Sequence, residues 1–152
     1  MTRQTDAPFD LQRFVEAQAT CYRQVVEELD RGRKESHWSW FVFPQPAGLG
    51  SSGMAVRYGI ASLEEAAAYL AHPVLGPRLR ECVGAMNRHE AASAERILGR
   101  IDALKFRSCL TLFLQVPDPP PAFRQALDKF FGGEPDAMTL SLLAGRNKEG
   151  RP

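Results

Sequence analysis

Between Asp10 and Arg31 the sequence reads DLQRFVEAQATCYRQVVEELDR. Its apolar residues recur at intervals of three and four, which is the spacing of one face of an α-helix, and charged residues occupy the opposite face. We predict one amphipathic helix here, capped at its start by Asp10 and ended by Gly32 in a left-handed turn. One face of this helix is therefore expected to lie in a hydrophobic core.

The same periodicity, with serine or aspartate at helix starts and glycine or proline at helix ends, predicts six further helices. They cover Ser62–Leu70, Val74–His89, Ser93–Leu98, Ala103–Val116, Phe123–Phe131 and Asp136–Ala144. Asp102 is expected to cap the fourth of these and Asp136 the last. Six or seven helices with short connections and no convincing strand pair predict an all-α fold, a compact single-domain bundle. We expect the helical domain to span residues 10–145, between flexible ends at 1–9 and 146–152.

The segment from His37 to Gln45 differs from the rest, because four of the six residues from Trp38 to Phe43 are aromatic. This composition leaves no polar face, so we expect an irregular segment that is buried or lines a cavity. Two prolines at its end remove backbone donors and disfavour a sheet. The alternative is an α+β fold with a small hairpin near Phe41.

The composition is that of one ordinary globular domain: 152 residues, 44% apolar and 24% charged. Nineteen basic and eighteen acidic residues leave a net charge of +1. Duplex nucleic acid is not an expected partner, because binding it normally requires a strongly basic surface. No stretch has the ~18–20 apolar residues of a membrane helix, and the N-terminus lacks the apolar core of a signal peptide. We expect a cytoplasmic protein that does not bind a membrane, and we favour a monomer.

The metal-binding and disulfide-forming residue types are scattered along the chain. They are Cys21, Cys82, Cys109, His37, His72 and His89. None of the cysteines forms a C-x-x-C pair, and the histidines lack metal-ligand spacing. The sequence therefore predicts no disulfide, no metal site and no cofactor.

Three glycines, Gly48, Gly50 and Gly53, spell the phosphate-binding pattern G-x-G-x-x-G. A dinucleotide-binding fold is not favoured, because prolines interrupt the strand that must run into such a loop. Two interpretations remain. The loop, with Ser51 and Ser52, binds an anion at the start of a short helical turn, or it is only a tight connection, which is the favoured interpretation.

Small-molecule pockets usually combine an apolar wall with a few convergent polar groups. The aromatic segment and the residues after it supply such a set. The candidate ligand-binding residues are His37, Trp38, Trp40, Gln45, Gly50, Ser52, Arg57 and Tyr58. We expect a planar ring to stack on one of the tryptophans, the other being core, and Arg57 to attract negative charge. No acid–base or nucleophile pair stands at an informative spacing, so the sequence does not assign an enzymatic reaction.

Several strings of the sequence match a known family pattern. They are Gly32–Lys34, His37-Trp38, Trp40–Gln45, Gly48–Gly50, Ser52, Arg57-Tyr58, His72–Leu79, Asp102, Lys105, Ser108, Thr111–Phe113 and Thr139-Leu140. From about Asp10 to Leu143 the chain resembles the bacterial family called domain of unknown function 1810, whose members are often labelled calpastatin. Ser39 and Phe106 depart from the Met and Leu that the family often carries. The resemblance implies a compact, mostly helical, monomer-sized domain and implies no activity.

A looser resemblance concerns the ligand. The dipeptides Ala17-Gln18, Leu98-Gly99 and Lys105-Phe106 are similar, in the same order, to segments of proteins that process ADP-ribose derivatives. This implies a nucleotide-like or ADP-ribose-like ligand. Two functions stay open: a small-ligand site, or a non-catalytic protein-interaction module that uses its aromatic patch. A concave, partly buried aromatic cluster favours the first function, and a flat exposed patch favours the second.

Overall fold

The structure is a computed structural model that describes residues 9–149. In that range it contains ten helices and no strand, apart from an isolated parallel bridge between Pro46 and Ile60. The helices are α1 (Gln12–Ala19), α2 (Tyr22–Arg31), α3 (Ser39–Val42), α4 (Gly53–Arg57), α5 (Leu63–Ala71), α6 (Leu75–Asn87), α7 (Ala94–Leu98), α8 (Arg100–Leu114), α9 (Pro121–Phe131) and α10 (Ala137–Glu149). The all-α prediction is confirmed, whereas six or seven helices was too few.

The first predicted helix is two helices, because the chain turns between Ala19 and Tyr22. At this turn the Cys21 amide bonds to the Gln18 carbonyl at 3.1 Å, three residues back, which interrupts the four-residue ladder of the helix. Each half keeps an apolar face, so the spacing of apolar residues carries no signal of the break. Asp10 does not cap α1, since the N-cap position is Leu11 and no side chain caps it.

At several other helix ends the structure has a side-chain cap or a left-handed glycine. Ser52, Ser62 and Ser93 each accept a hydrogen bond from the backbone amide three residues on, at 3.0–3.1 Å, and so cap α4, α5 and α7. Asp136 caps α10 in the same way, at 2.9 Å from the Thr139 amide. Gly32 ends α2 with φ +76°, in the left-handed region predicted for it.

Two elements depart furthest from their predicted bounds, by three residues or more at one end. Helix α8 begins at Arg100 with Gly99 at its N-cap position, so Asp102 lies inside the first turn and is not a cap. Helix α10 reaches Glu149, five residues beyond its predicted end. The remaining helices, α3 and α4, are each only about one turn long, and α4 is the short helical turn considered after the glycine loop.

Helix α8 lies at the centre of the fold and packs against α3, α5, α7, α9 and α10. Aromatic side chains fill the core around it. The fully buried ones are Phe14, Trp38, Phe43, Tyr69, Phe106, Phe113 and Phe123. The aromatic segment thus enters one continuous core, as predicted, through the short helix α3.

Buried polar contacts fix the segments around this core. The Gln18 side-chain amide donates to the Phe41 carbonyl at 2.7 Å and to the Tyr69 hydroxyl at 3.1 Å, which ties α1 to α3 and α5. The Arg13 guanidinium donates to the Gly59 carbonyl at 3.0 Å and pairs with Glu65 at 3.1 Å. These contacts hold the loop after α4 against α1 and α5. No described helix is long and apolar enough to cross a membrane.

Candidate functional site

The two tryptophans of the aromatic segment have different environments. Trp38 is only 1% exposed, lies 5.9 Å from Phe43 between ring centres, and donates its indole N–H to a Glu28 oxygen at 2.8 Å. Trp40 is half-buried at the surface, with the Lys105 ammonium 4.3 Å from its ring centre. Trp38 is therefore a core residue, and Trp40 is the indole that a ligand can reach.

A buried carboxylate organises the start of the aromatic segment. Glu28 is fully buried and accepts hydrogen bonds from the amides of Glu35 and Ser36 at 2.9 and 3.1 Å and from the Ser36 hydroxyl at 2.5 Å, besides the Trp38 indole. The Gln24 amide adds a fifth bond at 3.0 Å. Burial by itself raises the pKa of Glu28, but the hydrogen bonds from Ser36, Glu35 and Trp38 outweigh it and lower the pKa to about 2. Glu28 was not a predicted site residue. Its spacing of three residues from Val25, on the face of α2 that also carries Leu29, is the signal that places it in the core.

The segment beyond Glu28 forms one wall of a surface depression, and the junction of α7 and α8 forms the other. The depression has a volume of about 410 Å³. Its lining residues are Lys34, His37, Ser39, Trp40, Leu98, Gly99, Arg100, Ile101, Asp102 and Lys105. The Lys34 amide bonds to the Ile97 carbonyl at 2.7 Å and joins the two walls. A volume of this size is in the range of small-molecule pockets.

The charges of this depression form a cluster around Asp102. Its carboxylate lies 2.7 Å from the Lys34 ammonium and 3.4 Å from that of Lys105. Burial tends to raise the pKa of Asp102, but the hydrogen bond and charge of Lys34, followed by the charge of Lys105, lower it below its ordinary value. Arg100 adds a third cationic side chain, so the lining carries three positive charges against one negative. The geometry suits an anion.

Sequence reasoning missed most of this cluster. A short basic stretch such as Arg31–Lys34 is typical of a solvated connection between helices, and the sequence around Lys105 is typical of a solvated helix face. The side chains are in fact only 5% and 18% exposed. The burial of Lys34 depends on Asp102, a counter-charge 68 positions later in the sequence that no local pattern reveals. The ion pair between Asp102 and Lys105 is a local contact, three residues apart on α8.

The eight predicted ligand-binding residues do not share one cavity. His37 and Trp40 line the depression. Gln45, Gly50 and Tyr58 line, with Trp40, a separate cavity of about 10 Å³, which has room for about one water molecule. Trp40 is therefore the residue common to both.

The three remaining predicted residues line neither cavity. Trp38 is in the core, and Ser52 caps α4 with its hydroxyl. Arg57 is exposed, with its guanidinium carbon 5.5 Å from the Tyr58 ring centre. In the glycine loop, the serine predicted to contact an anion serves as a helix cap.

The described residues contain no group of three or more His, Cys, Asp or Glu side chains placed to hold a metal ion. The three cysteines are free, and burial raises the pKa of the Cys82 thiol to about 12. Neither observation identifies a cofactor-binding group.

A solved structure and a family model each match nearly the whole chain. The crystal structure of the conserved hypothetical protein Rv1873 from Mycobacterium tuberculosis is 57% identical in sequence, with a TM-score of 0.89, over 91% of this chain and 99% of that one. No curated protein matches the chain. The family described as protein of unknown function (DUF1810) matches residues 8–143, nearly the whole chain. The chain belongs to this DUF1810 family, as its sequence motifs indicated.

Proposed function

We propose that the chain binds a small, anionic, nucleotide-like ligand in the depression between the aromatic segment and the start of α8. One observation carries the proposal. Three cationic side chains surround a concave volume of about 410 Å³, and among the described residues that line it only Asp102 is acidic. The whole chain has a net charge of only +1, so this excess of positive charge is local to the depression.

The lysines indicate why an anion would be favourable. Lys34 and Lys105 are largely removed from water and share the single carboxylate of Asp102. Removing an ammonium group from water costs free energy unless an opposite charge compensates. A bound anion would supply the second counter-charge, and the low exposure of both side chains would strengthen the attraction.

Trp40 supports a ligand that also carries a planar ring. A half-buried indole at the edge of a cationic depression offers a stacking surface of the kind that nucleotide bases use. In the structure the Lys105 ammonium covers one face of this ring, 4.3 Å from the ring centre. A phosphate would give the Lys105 ammonium a stronger partner than the ring and would release that face.

Some of the residues that resemble ADP-ribose-processing proteins lie in the same depression. Of the residues that carry it, Leu98, Gly99 and Lys105 line the depression. This supports ADP-ribose as the first ligand to test.

The alternative function, a protein-interaction module, relied on a flat aromatic patch. The large apolar side chains that are well exposed among the described residues are all non-aromatic. They are Val56, Ile101, Leu104, Met138 and Leu140. Because the reachable aromatic residue lies in a concave region, the shape favours the small-ligand proposal.

The experiment is a thermal-shift and calorimetric titration of the full chain with ADP-ribose, AMP and adenosine. A ligand at 100 times its Kd stabilises the protein by about 2.7 kcal/mol. We expect Lys105→Met to weaken binding of the two phosphate-bearing ligands at least tenfold, because it keeps an apolar side chain and removes the charge. Lys129→Met is the control, since Lys129 is an exposed lysine on α9 outside the depression. Absence of binding, or equal weakening in both variants, would contradict the proposal.

A further inference from the structure

We infer that the first turn of α8 and the hydroxyl of Ser39 form a phosphate subsite within this depression. The inference rests on the proposed function and names the part of the ligand that this wall recognises. That part is a tetrahedral oxyanion, either free phosphate or a phosphate monoester.

The start of α8 leaves backbone donors unused. The amides of Arg100, Ile101 and Asp102 donate to no group among the described residues, and Gly99 provides no side-chain cap. The helix is 15 residues long, so its N-terminus has the full partial positive charge of the helix dipole. All three residues line the depression. Free amides at such a position are a favourable binding site for an anion.

Gly99 leaves the approach to these amides open. Its φ is +91°, a conformation that a residue with a side chain adopts only with strain. No atom of the residues that the structure describes, other than those of its chain neighbours, would lie within 4 Å of a Cβ placed there. The position therefore combines a backbone that requires glycine with unfilled space in front of the helix start.

Ser39 supplies an independent observation. It lines the same depression, is only 1% exposed, and its hydroxyl has no hydrogen-bond partner among the described residues. A buried hydroxyl without a partner is unfavourable and rare in native structures. Ser108, a buried serine of α8, shows the usual arrangement, because its hydroxyl donates to the Leu104 carbonyl at 3.1 Å. An oxyanion in the depression would accept the bond that Ser39 lacks.

The surrounding charges fit the same ligand. Asp102 uses its carboxylate to hold Lys34 and Lys105, so it does not cap the amides of its own helix. Arg100 is exposed and forms no ion pair with a described residue, which leaves its guanidinium for a second phosphate oxygen. A phosphate would thus meet backbone amides, one hydroxyl and cationic side chains, which together provide enough donors for several oxygens.

The test compares Ser39→Ala with Ser108→Ala, each measured by calorimetry with inorganic phosphate, AMP and adenosine. We expect phosphate and AMP to bind the wild-type chain more tightly than adenosine. Ser39→Ala should weaken phosphate and AMP about tenfold while its Tm stays equal to that of the wild type or rises, because the variant removes an unpaired buried hydroxyl. Ser108→Ala should keep the wild-type affinity. In an NMR titration with phosphate, the amides of Arg100, Ile101 and Asp102 should show the largest shifts.

The outcomes separate this subsite from the proposed function. If AMP binds and Lys105→Met weakens it while Ser39→Ala does not, the subsite is overturned and the proposed function stands. A lower Tm together with weaker binding in Ser39→Ala would assign the hydroxyl a structural role and would also overturn the subsite. If phosphate binds at the α8 amides but AMP and ADP-ribose do not, the subsite is supported and the nucleotide-like ligand is overturned. No binding of phosphate, AMP or ADP-ribose overturns both.

Discussion

The buried carboxylate of Glu28 should make the protein sensitive to acid. From the described residues it receives five hydrogen bonds, three at one oxygen and two at the other, and none of these donors is a cation. Each of these donors needs an acceptor, and an ionised carboxylate offers only acceptor atoms. Glu28→Gln keeps the shape of the side chain but removes its charge and replaces one oxygen with an NH₂ group, which cannot accept a hydrogen bond. The variant therefore tests the carboxylate and not the packing.

The size of the effect follows from the pKa. The native state lowers the pKa of Glu28 from its ordinary value of 4.5 to about 2. Each pKa unit corresponds to about 1.4 kcal/mol, so the ionised carboxylate stabilises the fold by about 3 kcal/mol at neutral pH. Because the folded pKa lies below the unfolded one, this contribution is complete above about pH 5 and is lost as the pH falls toward 2. Glu28→Gln should lose about 3 kcal/mol at pH 7 and progressively less in acid.

The assay is urea unfolding followed by tryptophan fluorescence at several pH values between 7 and 2.5. Glu27→Gln is the matched control, since Glu27 is the exposed neighbour on the same helix. Wild type and the control should lose stability in parallel as the pH falls, and the Glu28→Gln curve should approach them. If the difference between Glu28→Gln and wild type is the same at pH 7 and at pH 2.5, the carboxylate does not stabilise the fold as argued.

Other predictions test backbone packing and the cysteines. A Cβ at Gly76 would lie 2.1 Å from the Leu70 carbonyl oxygen, so Gly76→Ala should unfold the protein or cost more than about 3 kcal/mol in urea unfolding. A Cβ at Gly84, in the same helix, would have no described atom within 4 Å, so Gly84→Ala should stabilise the folded state by roughly 0.5–1 kcal/mol. Equal effects of the two substitutions would refute the packing argument. The three cysteines are free, so a reductant should leave the Tm unchanged, and a chelator should do the same; a fall of several degrees with either would reveal a disulfide or a metal site.

The features that could be predicted from the sequence are those in which all partners are close along the chain. A serine cap such as Ser62 bonds to an amide three positions away, and Gly32 ends its helix through its own backbone angles. Aromatic residues at Trp38 and Phe43 were predicted to be buried because no solvated surface could accommodate that density of apolar area. Each of these signals is complete within a few residues.

The features that could not be predicted depend on groups that meet only after folding. Asp102 has the spacing of a helix cap, but the helix starts two residues earlier and the carboxylate pairs with Lys34 from a distant segment. The turn at Cys21 could not be predicted for a related reason, because apolar residues with helical spacing continue through it. In both cases the local pattern allows two outcomes and the tertiary contacts select one.

The acid-labile carboxylate and the proposed ligand site are parts of one arrangement. Glu28 fixes the amides of Glu35 and Ser36, and the Ser36 carbonyl in turn accepts a hydrogen bond from the Lys34 ammonium that pairs with Asp102. One wall of the depression is thereby held by a buried group that has no contact with its interior. Since binding geometry depends on such supporting contacts, Glu28→Gln should weaken ligand binding at neutral pH even where the chain remains folded. Glu27→Gln, which leaves this chain of hydrogen bonds intact, should not.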